Sequence, residues 1–121
     1  MAEITDTFAE LPTQLAYWQK ALRLQDWRIE ANFCHGYEID GNLGSCNIHY
    51  KKKTASIQIT VPEDRDPTAV GGAEPWQVTL IHELLHILMD GIGDREESSS
   101  VAEEQAIAIL SNLLWEMRES A

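Results

Sequence analysis

An apolar run between Leu80 and Leu88 is interrupted by two histidines and a glutamate, His82, Glu83 and His86. Residues four apart lie one above the other on the same face of an α-helix, so both imidazoles would face the same way. Glu83 would lie beside them, about 100° further round the helix. Two buried imidazoles without partners would be costly. The run therefore predicts a core helix that carries a polar site.

The spacing of these three side chains is suited to metal binding. Neutral imidazole is a common zinc ligand, and two of them on one face can bind a single ion. Glu83 would be close to a water molecule at the metal without being a ligand, which is the position of a general base. The H-E-x-x-H pattern is associated with zinc-dependent peptide hydrolysis. We predict that His82 and His86 bind zinc and that Glu83 is catalytic.

A third ligand must come from a carboxylate, because catalytic zinc usually has three protein ligands and no histidine follows His86. The last predicted helix offers Glu103 and Glu104. At about 100° per residue, Glu103 falls inside the apolar stripe of that helix and Glu104 lies at its edge. The stripe consists of Ala106, Ile107, Leu110, Leu113, Leu114 and Met117. We favour Glu103 as the third ligand and keep Glu104 as the alternative.

Glu103 also has an alternative role that needs no metal. The segment Ser100-Val101-Ala102-Glu103 matches a capping box, in which the glutamate bonds back to the first backbone N–H of the helix. Asp90 and Asp94, which also follow the histidine pair, are further candidate ligands. Asp90 could end its helix or orient an imidazole.

The pattern of apolar residues predicts three helices and three strands. The predicted helices cover residues 11–24, 75–90 and about 100–118, and the strands cover residues 27–33, 45–50 and 55–61. Lys51 to Lys53 would form a hairpin turn, and the long loop between Pro62 and Glu74 could line a cleft. We predict one α+β domain over residues 1–121, with the helices on one side of a three-stranded, mainly antiparallel sheet.

Charge and hydropathy exclude several partners. The 121 residues carry a net charge of -11, and Lys51 to Lys53 form the one basic cluster. Nucleic-acid binding depends on neutralising phosphates and is disfavoured. No segment approaches the roughly 18 apolar residues of a membrane helix, and the N-terminus has no secretory h-region. We expect a cytoplasmic protein whose partner is a protein or peptide substrate.

The H-E-L-L-H-I-L helix followed by Glu103-Glu104-Gln105-Ala106 resembles the minimal gluzincin-type metallopeptidases. It is similar to the small metallopeptidases of phages and prophages and, more distantly, to ImmA/IrrE-type proteins. The resemblance implies a zincin-like fold with zinc bound by His82, His86 and a glutamate of the last helix. It also implies that the protein is found in a bacterial or phage-infected host cell. The chain departs from the thermolysin-like E-x-x-x-D pattern, because Ile107 and Ala108 follow the two glutamates at that spacing.

Peptide hydrolysis also requires a hydrogen-bond donor for the developing oxyanion. Suitable side chains are those of His49, Tyr50, His35 and Tyr37. His49 lies on the polar face of its predicted strand and is the first candidate, although it could equally be an ordinary exposed residue. An extended substrate could add to strand 43–50 or to strand 54–61.

Two other functions fit the same pattern. A zinc-binding regulatory or protein-interaction module of phage type could keep the metal with little or no catalysis. A purely structural zinc site would need a fourth protein ligand. Glu83 favours catalysis, because neither alternative requires it.

Overall fold

Three α-helices and one three-stranded sheet make up the fold in a computed structural model of the chain. The structure describes residues 2–66, 68, 74–90 and 101–120, with the backbone alone for residues 2–8 and 90. The elements are α1 (Ala2–Ala21), β1 (Arg28–Cys34), β2 (Gly44–His49), β3 (Thr54–Thr60), α2 (Trp76–Asp90) and α3 (Val101–Glu119). Short 3-10 turns occupy Gly36–Ile39 and Pro62–Asp64. The predicted α+β order is confirmed, although α1 begins well before residue 11 and contains Pro12.

The sheet is mixed rather than mainly antiparallel. Its strand order is β1-β3-β2, with β3 in the centre. β2 and β3 form an antiparallel hairpin through Lys51–Lys53, whereas β1 pairs with β3 in parallel. After β1 the chain crosses to the other edge of the sheet and forms β2 there. β3 then occupies the central position between the two edge strands. Period-two alternation predicts each strand but contains no information about this order.

One face of the sheet is covered by helices. Ala55, Ile57 and Ile59 of β3 are buried, while Ser56 and Gln58 between them are partly exposed. The buried face packs against α2, in which Leu80, Ile81, Leu84 and Ile87 are almost completely inaccessible. Burial of each large aliphatic side chain contributes about 1.5–3 kcal/mol.

None of the helices in the described part of the chain has the length and hydropathy needed to span a membrane.

α2 lies at the centre of the domain and contacts α1, α3 and all three strands, including β1 through the rings of Trp76 and Phe33. Two contacts give the direction of α3 relative to α2. Glu104, in the first turn of α3, meets His86 near the end of α2, whereas Asn112 reaches Glu74 just before α2 begins. The two helices are therefore antiparallel, and they pack against each other along their length.

β2 and α2 approach each other closely at Gly44. A Cβ atom added there would lie 2.6 Å from Cγ2 of Thr79, closer than real carbon atoms approach. It would also lie 3.3 Å from Oε2 of Glu83 and from the backbone oxygen of Gln58. The absence of a side chain at position 44 thus allows the strand to lie against the helix that carries the histidines.

Gly44→Ala is expected to reduce the free energy of unfolding by about 1–3 kcal/mol, which is the usual cost of overpacking. Thr79→Ser removes Cγ2 but retains the hydroxyl that accepts a hydrogen bond from Arg65. The alanine should therefore cost less in the Thr79→Ser background. Urea unfolding of the four proteins in this double-mutant cycle measures the difference. An equal cost in both backgrounds would exclude a clash with Thr79.

Candidate metal centre

His82 and His86 of α2 open onto a cavity of about 490 Å³ between α2, α3 and the start of β2. The spacing of four residues places both imidazoles on the same side of the helix, with ring centroids 5.0 Å apart. The other lining residues are Asn42, Leu43, Gly44, Glu74, Val78, Thr79, Glu83, Glu104 and Ala108. The predicted pair therefore lines a cleft together with three glutamates, Glu74, Glu83 and Glu104.

Glu104 completes a group of three possible metal ligands. Its Oε2 atom lies 3.3 Å from Nε2 of His82, and its Oε1 atom lies 3.1 Å from Nε2 of His86. One donor atom from each residue can be chosen so that all three lie within 4.8 Å of one another. Zinc–ligand bonds of 2.0–2.1 Å place tetrahedral neighbours about 3.3 Å apart. Each imidazole nitrogen therefore lies at about this separation from one of the two Glu104 oxygens, and two nitrogens with a carboxylate oxygen are a donor set that zinc accepts.

The protonation state of His82 also suits a ligand. Burial lowers the pKa of His82, and the neighbouring imidazole of His86 lowers it further. The carboxylates of Glu104 and Glu74 act on this pKa in the opposite direction. A lowered pKa keeps the imidazole neutral, which is the form that binds a metal ion.

The structure brings the alternative third ligand, Glu104, to the histidines, and it does not place Glu103 in this group. Of the predicted stripe, Ile107 is buried, and the other buried residue of α3 is Ser111, which lies outside the stripe. Leu110, Leu113 and Met117 of that stripe are exposed. Glu103 is partly buried and Glu104 is exposed, as the stripe predicts, yet it is the carboxylate of Glu104 that reaches the histidines. Asp94, Ser100 and the side chain of Asp90 lie outside the described residues.

Glu83 follows His82 directly in α2. Its side chain is only 8% exposed, yet it lines the same cavity as the two histidines. The close approach of β2 at Gly44 covers it from one side. The cavity therefore contains both a candidate ligand set and a separate carboxylate next to it.

His49 is not brought to the cavity. It is the last residue of β2, five residues from Gly44, and extended chain of that length spans about 17 Å. Its side chain is exposed and borders a different depression with Arg28, Glu30 and Asn47. Residues on the polar face of β2 point away from α2, so the same alternation that suggested His49 directs it to solvent.

The other three candidate donors also lie outside the cavity lining. Nδ1 of His35 lies 2.9 Å from Oδ2 of Asp64, and this carboxylate raises the pKa of His35. Tyr37 is 80% exposed and stacks on His35. Tyr50 packs edge-on against Trp27.

The cleft also contains residues that the sequence pattern did not single out. Glu74, at the end of the long loop, lines the cavity, as loop length had suggested for this segment. Arg65 lies behind this wall and is buried. It donates hydrogen bonds to the carbonyl oxygens of Thr60 and Glu74 and to the hydroxyl of Thr79. Arg65 thus joins the end of β3, the loop and α2 into one support for the cleft.

Strand order also distinguishes between the two candidate strands for substrate pairing. β3 is paired on both sides and has no available edge, whereas β2 is an edge strand among the described residues. Asn42, Leu43 and Gly44, at the start of β2, line the cavity. An extended peptide could therefore pair with β2 and reach the histidines, whereas it could not pair with residues 54–61.

No protein-family model, curated protein or solved structure matches the chain.

Proposed function

We propose that the protein is a zinc-dependent metallopeptidase that hydrolyses peptide bonds in protein or peptide substrates. The observation that supports this most strongly is the combination of two elements in one cavity. The first is the group His82, His86 and Glu104, in which one donor atom from each residue lies within 4.8 Å of the other two. The second is the buried carboxylate of Glu83, which borders the same space.

Each part of the cleft has a distinct role in this mechanism. Zinc bound by the three ligands would supply a Lewis acid that polarises the scissile carbonyl and lowers the pKa of a water molecule toward about 7. Glu83 accepts a proton from the attacking water and transfers it to the leaving amine. The edge of β2 near Gly44 holds the substrate in an extended conformation by strand addition. Arg65 holds the end of β3, the loop at Glu74 and α2 together through its three hydrogen bonds.

A second candidate is a zinc-binding interaction module with little or no catalysis. It is favoured by the exposed apolar side chains of α3, which include Ile109, Leu113 and Met117. Such surfaces are typical of protein contacts. The burial of Glu83 in the cleft favours the peptidase, because an interaction module would gain nothing from a carboxylate beside the metal.

Metal content and cleavage test the proposal together. Protein purified without added zinc should contain close to one zinc ion per chain by elemental analysis. Cleavage of a mixed peptide library should stop when a chelator removes the metal and return when zinc is added. A chain that binds zinc but cleaves no peptide would favour the interaction module. A chain that takes up no zinc, even when zinc is offered, would contradict both functions.

A further inference from the structure

The cleft contains one carboxylate that the proposed mechanism does not use, that of Glu74. Its side chain is partly buried and lines the same cavity as His82, His86 and Glu83. Oε1 of Glu74 accepts a hydrogen bond from Nδ2 of Asn112, at 3.3 Å. Nδ2 of Asn112 also donates to the carbonyl oxygen of Ala108, at 2.9 Å. The amide therefore attaches Glu74 to α3 and limits where its carboxylate can point.

Glu74 lies to one side of the metal ligands rather than among them. It lies two residues before α2, and the six residues from Trp76 to His82 advance about 9 Å along the helix axis. Extended peptide advances about 3.3 Å per residue. A long substrate side chain one to three residues from the scissile bond would therefore reach Glu74.

The charges of the cavity lining are all of one sign. Three glutamates, Glu74, Glu83 and Glu104, line it, and no lysine or arginine is found among its described lining residues. Glu104 would neutralise part of the metal charge and Glu83 would exchange a proton with water. Arg65 lies behind the wall, where its donors are taken up by protein oxygens. Glu74 is thus the carboxylate available to a ligand.

We propose that Glu74 is a specificity residue that selects substrates with a cationic group close to the scissile bond; this rests on the proposed peptidase function. The cation would be the ammonium of lysine, the guanidinium of arginine or a free N-terminal amine. In a cleft that partly excludes water, an ion pair discriminates against a neutral substrate because the unmatched carboxylate has lost some of its hydration. The net charge of -11 would also steer cationic peptides toward the protein.

The test uses zinc-loaded full-length Glu83→Gln protein, which should bind substrate without consuming it. The ligands are N-acetylated, otherwise neutral peptides with a single lysine at each position in turn, and the same peptides with Nε-acetyl-lysine. A third set replaces the N-terminal acetyl group with a free amine. Calorimetry should show about three- to tenfold tighter binding of the best cationic peptide than of its neutral counterpart. This preference should disappear when Glu74→Gln is added.

The matched control is Glu30→Gln, which changes an exposed glutamate of β1 outside the cleft and should leave the preference intact. Equal binding of cationic and neutral peptides, or a preference that survives Glu74→Gln, would overturn the inference. If wild-type protein cleaves both kinds of peptide equally, the selectivity is refuted and the peptidase function remains. If a Glu74-dependent preference exists without cleavage in the wild type, cation recognition is supported and the peptidase function fails.

Discussion

Glu83→Gln is expected to reduce peptide hydrolysis by about 10²- to 10⁴-fold, the usual contribution of a general base. Glutamine has nearly the same shape but cannot accept the proton of the attacking water. Glu83 is not among the residues whose donor atoms form the ligand group. Zinc content should therefore be unchanged. The measurement is kcat/KM for the best substrate, with elemental analysis of the same preparation.

Two controls make this result specific. Glu30→Gln makes the same chemical change at an exposed position on β1 and should leave kcat/KM unchanged. Thermal unfolding of both variants with and without zinc should show equal stabilisation by the metal. If Glu83→Gln protein cleaves peptides as fast as wild type, Glu83 is not the base. If it loses zinc as well, its role is structural and the loss of activity has another cause.

Helix α2 and the placement of its two histidines could be predicted from sequence, because both depend on residues that are close together in the chain. Spacing of four residues decides whether His82 and His86 share a face, and the apolar residues around them decide whether the helix is buried. Both features follow from about ten consecutive residues, and both are present in the structure. The hairpin at Lys51 to Lys53 was predictable for the same reason.

Features that depend on packing between distant segments were less accessible. The alternation in β1 and β2 identifies strands but does not reveal that β3 lies between them. Strand order in turn decides that the start of β2, and not His49 at its end, borders the cavity. α3 is antiparallel to α2 and brings Asn112 to Glu74, which lines the cleft. None of these relations has a signal in a short window of sequence.

The orientation of α3 shows how an apolar pattern can mislead. Its most apolar stripe predicts a core contact through Leu110 and Leu113, yet these side chains are partly exposed. The buried residues of α3 are Ile107 and Ser111, and the partly buried Ala108 lines the cavity beside α2. The hydroxyl of Ser111 is satisfied by the carbonyl oxygen of Ala108, at 3.0 Å. α3 therefore has apolar residues on an exposed face as well as on its buried face, and the sequence pattern did not distinguish the two.

Glu104→Ala is therefore expected to weaken zinc binding by more than about 100-fold, since even a residue that only orients a ligand contributes 10- to 100-fold. Glu103→Ala is the matched comparison, because it removes a neighbouring carboxylate from the same turn of α3. Competition with a chromophoric chelator measures both affinities. The melting temperature should rise with zinc in wild type and in Glu103→Ala but not in Glu104→Ala, because only a protein that binds the ion gains its binding free energy.

The same two variants separate a metal site from a hydrogen-bonded cluster. Distances of 3.1 and 3.3 Å would also fit imidazole N–H groups that donate to the carboxylate of Glu104. In that case Glu104→Ala would change unfolding in metal-free protein, while zinc would stabilise none of the proteins. Loss of zinc in Glu103→Ala alone would instead mean that Glu103 is the third ligand. A loss confined to Glu104→Ala would establish that Glu104, rather than the glutamate inside the apolar stripe, binds the metal with the histidines.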